Sequence, residues 1–210
     1  MDMEGGGGSF FQLGDIGDYK LVEDVYPIGI ASLFTVLLTY TTVRIGSIGG
    51  VTCNTYLDMF GLDAVLLNTI LLIILLQISR YFYSAVYASG GKSWSPLVFM
   101  AVAIAVNFLH DGLMYYGVIH TLPAGKNDLI DMLKEFTASM PKLAIAGAHT
   151  VIIIIAALFA MILKDMNDLH RFILLALTLY AIPYMLAAVG KKPPPPPPPP
   201  AKKKDEFMRY

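Results

Sequence analysis

The sequence is short of charge. Asp, Glu, Lys and Arg make up only 15% of its 210 residues, where soluble domains carry about 25%. Water is therefore not the solvent for most of this chain. Cysteine is scarcer still. Cys53 stands alone, which excludes an intrachain disulfide and any CxxC metal or redox centre. No asparagine has Ser or Thr two places on, so there is no N-glycosylation sequon. GxGxxG, a GKS/T phosphate loop, HExxH, GxSG and TVGYG are all missing. No serine or cysteine sits in an obvious pairing with a base. The expectation is a protein that is not an enzyme and that holds no cofactor and no metal. The first residues also lack a basic stretch, a short apolar core and a small-residue cleavage site. The first apolar segment is thus expected to serve as both signal and anchor.

What is present is apolar. Hydrophobic residues reach 56% and mean hydropathy is +0.61. Five stretches approach the ~20 residues that cross ~30 Å of hydrocarbon as a helix. They cover about residues 26–43, 62–87, 96–119, 143–163 and 172–189. The expected fold is all-α, an integral membrane helical bundle of about five transmembrane helices over residues 25–189. An acidic, Gly-rich segment (1–24) precedes it, and a poly-Pro, Lys-rich tail (190–210), read as disordered, follows.

In the leading segment, Gly5 to Gly8 form a flexible run, with Phe10 and Phe11 placed to touch the interface. Thr35, Thr39 and Thr42 share a face of the first span, which Arg44 closes. Their hydroxyls can bond back to the helix or to a neighbour. Residues 45–61 read as a loop, with Gly46, Gly49, Gly50 and Gly61 as breakers. The second span ends in Gln77 and Arg80, followed by Tyr81, Phe82, Tyr83 and Tyr87. This reads as an aromatic belt, with Arg80 snorkelling to the headgroups and Trp94 as a second interface anchor. A voltage- or substrate-sensing arginine is the other reading. Residues 127–136, NDLIDMLKEF, are amphipathic. They suit a helix in the interface plane or one capping the bundle. Pro183 is expected to kink the last span or end it early.

The third span carries Asn107, His110 and Asp111 well inside its ends, and the fourth carries His149. Ionisable residues within a span are costly and face protein or water. Asn107 and Asp111 are four apart and share a helix face. Asp111 lies about eight residues from the far end of its span, roughly 12 Å deep, and His149 about six residues from the same side, roughly 9 Å. Equal depth predicts that they meet between the third and fourth spans, with Arg44 in reach. Four readings remain open: a structural polar clamp, a proton or ion relay, a metal site and a catalytic pair. Arg80 is expected to reach water, so Asp111→Ala should cost more stability than Arg80→Ala.

Five crossings put the termini on opposite sides. Lys20, Arg80, Lys92, Lys164 and Arg171 gather on the N-terminal side. Arg44, Lys126, Lys134, Lys142 and the six basic residues of the tail gather on the other. The positive-inside rule then predicts a lumenal or exterior N-terminus and a cytoplasmic C-terminus. The tail has eight consecutive prolines, the first Pro193 and the last Pro200, followed by Lys202, Lys203 and Lys204. Eight prolines make a polyproline II rod of roughly 25 Å. Such a rod suits an aromatic groove, and its basic flanks suit anionic lipid. A stiff spacer that binds nothing is the plain alternative.

The second half carries a further pattern. His110-Asp111 lies in a span, Pro123, Gly125, Asn127, Ile130 and Asp131 follow in a loop, and Pro183-Tyr184 comes late. In this it resembles uncharacterised multi-pass membrane proteins of nucleocytoplasmic large DNA viruses. Where that family has an aspartate in the fourth span, this chain reads AGAHT around His149. The resemblance implies a virion inner membrane or host endomembrane and no known activity. The expected partners are the lipid bilayer, a Pro-rich-ligand-binding domain or a capsid or core protein at the tail, and a second copy of the chain. Specific nucleic-acid binding is not expected. The leading expectation is a non-enzymatic multi-pass membrane protein with a partner-binding tail. A small ion channel or proton-coupled transporter built on the His/Asp cluster is the alternative.

Overall fold

A computed structural model describes residues 13–46 and 50–188. Six helices follow in order: α1 (Val25–Gly46), α2 (Gly50–Phe82), α3 (Pro96–Leu113), α4 (Asp128–Ser139), α5 (Lys142–Lys164) and α6 (Asp168–Ala187). α2 runs on through a π-helical turn at Tyr83–Tyr87, and α3 through another at Met114–Ile119. Five helices are long and apolar enough to cross a bilayer. The molecule is an all-α, multi-pass integral membrane protein.

Local chemistry sets the helix starts. Ser95 caps α3 ahead of Pro96, whose missing N–H costs nothing at a first position. Asn127 and Asn167 cap α4 and α6, accepting from the amides of Ile130 and His170 at 3.1 and 3.0 Å. Pro183 neither ends nor interrupts α6, which continues to Ala187. Thr39 and Thr42 bond back to the carbonyls of Thr35 and Leu38 at 2.8 Å each.

The stretch read as a loop is different from 50 onward. Residues 50–60 are helical, and the chain bends at Gly61, whose φ of 48° and ψ of −118° suit glycine alone. Tertiary contacts hold this helix in place. Leu57 is buried, Arg44 pairs with Asp58 at 2.7 Å, and Asn68 donates to the hydroxyls of Tyr56 and Tyr40 at 3.0 and 2.7 Å. Gly49 lies outside the described residues. α4 lies on α2 and the end of α3 with Ile130 and Met132 buried, so the amphipathic stretch caps the bundle.

α1 is the hub, packed against α2, α5 and α6, while α3 closes the ring between α2 and α5. Lipid tails are as apolar as leucine, so helices here associate by close contact and hydrogen bonds. α1 and α5 supply small residues for it: Ala31, Ser32, Ala156, Ala157 and Ala160 are all fully buried. Phe34 and Phe159 meet edge-on at 4.9 Å beside them. Filling this seam should hurt. Ala157→Leu is expected to lower stability by about 1–3 kcal/mol through overpacking, read by reversible unfolding in mixed micelles. Leu177→Ala on the lipid-facing side of α6 serves as the control that leaves it nearly unchanged.

Candidate functional site

Two polar constellations bring together charged groups that lie far apart in the sequence. The first joins α3 to α5. His149 Nδ1 stands 3.0 Å from both Asp111 oxygens, and His110 Nδ1 is 3.3 Å from Oδ1. Asn107 Nδ2 donates to Oδ2 at 3.4 Å. Helical spacing places Asn107 under Asp111, and matched depth on a neighbouring helix brings in His149. Asn107 is buried, whereas the His149 side chain is 44% exposed and that of Asp111 19%. A carboxylate facing Nδ1 favours the tautomer protonated there, leaving Nε2 as an acceptor. The arrangement can hold a proton between two imidazoles and a carboxylate. Among the described residues no three His, Cys, Asp or Glu side chains gather as a metal site requires.

Arg44 does not join this cluster. Its guanidinium is buried at the end of α1 against Asp58 and against Asn54, whose Oδ1 is 3.3 Å away. The helical fold of residues 50–60 supplies those partners, which a loop would not.

The second constellation involves the arginine that the sequence placed among lipid headgroups. Arg80 is fully buried. Its Nε donates to the Ile16 carbonyl at 2.7 Å. Its Nη2 donates to the carbonyl of Asp18, to that of Leu21 at 2.9 Å and to Asp24 Oδ2 at 2.9 Å. Its Nη1 donates to Gln77 Oε1 at 2.9 Å. Asp24 is also fully buried, and its other oxygen accepts from Lys164. One carboxylate thus lies between two cations from α2 and α5. Lys164 additionally meets exposed Glu23 at 3.3 Å. Snorkelling fails here because the chain before α1 folds back over the helix end and covers the guanidinium with its own carbonyls.

That chain is residues 13–24, expected as part of a polar lead-in. Ile16 is fully buried in the core. Gly14 N donates to the Met161 carbonyl at 3.2 Å, and Ser84 Oγ donates to the Gly17 carbonyl at 2.7 Å. Trp94 is half-buried, and its Nε1 donates to the Leu13 carbonyl at 3.1 Å. Its ring meets Tyr83 and Phe99 at 5.3 and 5.6 Å. Gly5 to Gly8, Phe10, Phe11, Pro193, Pro200, Lys202, Lys203 and Lys204 lie outside the described residues.

A signal for the second site existed in the sequence. Asp24, Arg80 and Lys164 each stand at the end of a span on one side of the membrane. Pairing ends by topology would have brought them together. Reading Arg80 by its aromatic neighbours alone hid this. The half-buried Tyr40, Tyr56 and Asn68 network also went unread, because it joins residues on both sides of the Gly61 bend.

No protein family, curated protein or solved structure matches the chain.

Proposed function

We propose that the protein is a non-enzymatic membrane component, a stiff helical platform that delivers the Pro-rich, basic tail of residues 190–210 to a partner. The observation that carries this reading is the Asp24, Arg80 and Lys164 network. Its charges are spent on one another and on backbone carbonyls, which is the chemistry of a structural clamp. α6 starts at Asp168, next to the clamped end of α5, and runs to Ala187, which supports a tail carried at the other end of the bundle. The distribution of basic residues supports a cytoplasmic tail. The resemblance of the second half to viral membrane proteins supports a virion inner membrane or host endomembrane, with a capsid or core protein as the tail's partner.

The tail gives the test. A peptide of residues 190–210 is expected to retain SH3-, WW- or profilin-like domains, and replacing four prolines with Gly-Ser should abolish retention. Retention that survives Gly-Ser but disappears on lysine substitution would reject the groove and leave plain electrostatics.

One observation favours a second reading, a proton-coupled channel or transporter. His149 and Asp111 touch inside the spans while His149 stays half-exposed, as a proton relay requires. Purified protein in liposomes decides between the two. The platform reading expects no pH-dependent ion flux, and a flux that is lost in His149→Ala would replace it with the relay.

A further inference from the structure

The segment of residues 13–18 sits in a groove that reads its main chain. The carbonyls of Leu13, Ile16, Gly17 and Asp18 accept from Trp94, Arg80, Ser84 and Arg80 in turn. The amide of Gly14 donates to Met161. Side-chain selection rests on three positions. Ile16 fills an apolar pocket with no exposure. A Cβ on Gly17 would stand 2.6 Å from Tyr83 and 2.8 Å from Trp94, and one on Gly14 2.8 Å from Lys164. Asp15 and Asp18 point outward and close turns on the amides of Gly17 and Lys20 at 2.8 and 2.9 Å. Residues 18–23, the connector to the buried Asp24, are all exposed.

This is how extended peptides are recognised elsewhere: backbone hydrogen bonds supply affinity and a few side-chain pockets supply specificity. We propose that the helix end formed by Arg80, Ser84, Trp94 and Met161 is a binding groove for the peptide G-x-I-G. The chain's own residues 13–18 fill it as an exchangeable strap.

The test uses the full chain with a specific protease sequence inserted between Tyr19 and Lys20, purified in detergent and then cut. Trp94 is the single tryptophan and bonds the strap directly, so its emission reports docking. Synthetic peptide of residues 12–19 is added in excess. The expected result is that the cut strap leaves, the Trp94 emission shifts, and added peptide restores it saturably with helicity unchanged. Peptides carrying Gly17→Val or Ile16→Asp should bind at least about tenfold more weakly, a loss of 1.4 kcal/mol or more. Three outcomes overturn the proposal. The cut strap stays in place against excess peptide, the substituted peptides bind as well as the natural one, or helicity collapses when the strap departs.

Discussion

Arg80→Met is expected to destabilise the protein by about 3–5 kcal/mol, the loss that follows when one partner of a buried ion pair is removed. The side chain is replaced by one of similar length, so cavity formation contributes little. What remains is Asp24, fully buried and left, among the described residues, with Lys164 as its only charged partner. The carbonyls of Ile16, Asp18 and Leu21 lose their donor at the same time. Reversible unfolding in mixed micelles reads the loss, and limited proteolysis should show cleavage within residues 13–20 before the helices open. Asp111→Ala is expected to cost less, because none of the side chains it abandons, Asn107, His110 and His149, is a fixed charge, and the His149 side chain is 44% exposed. This reverses the order that the sequence suggests. Equal losses for the two substitutions would mean that Arg80 is hydrated in the membrane-bound protein.

Asp24→Ala is the second large effect, also about 3–5 kcal/mol. It strands two cations instead of one anion. Lys164 retains exposed Glu23 at 3.3 Å and is itself 22% exposed, so most of the penalty falls on Arg80. The network makes a further demand: residues sharing one partner do not act independently. Arg80→Met combined with Asp24→Ala should therefore cost less than the sum of the two, since neither charge is left alone in a low-dielectric site. Lys164→Met alone should cost less than either. Additive losses in the double variant would dissolve the network into separate contacts.

Much of the architecture was legible in the sequence, for a simple reason. Crossing a bilayer requires about 20 apolar residues satisfied by their own helical hydrogen bonds. That constraint acts on each segment separately. The five apolar helices and the depth match of Asp111 with His149 follow from local spacing. Their contact at 3.0 Å needed one tertiary fact, that α3 and α5 are neighbours.

The fate of the charges at the helix ends was settled by the tertiary structure. Arg80 among aromatics has the composition of an interface anchor, and nothing within ten residues of it predicts burial. Apart from Gln77, its partners stand 56 to 64 positions away, among them Asp24, Leu21 and Ile16. Burial of a guanidinium depends on whether enough acceptors converge to replace water, and convergence over that separation is a property of the folded chain. The glycines of the strap show the same division. Nothing in the sequence singles out Gly14 and Gly17, yet Gly14 marks a close approach of backbone to Lys164 and Gly17 one to Tyr83 and Trp94. Residues 50–60 failed as a loop because Arg44, Asp58 and Asn68 lock a helix that local propensity leaves undecided. Sequence alone determined that this is a membrane protein with about five helices long and apolar enough to cross. The tertiary structure decided which of its few charges face one another, because a charge in lipid is defined by its partners.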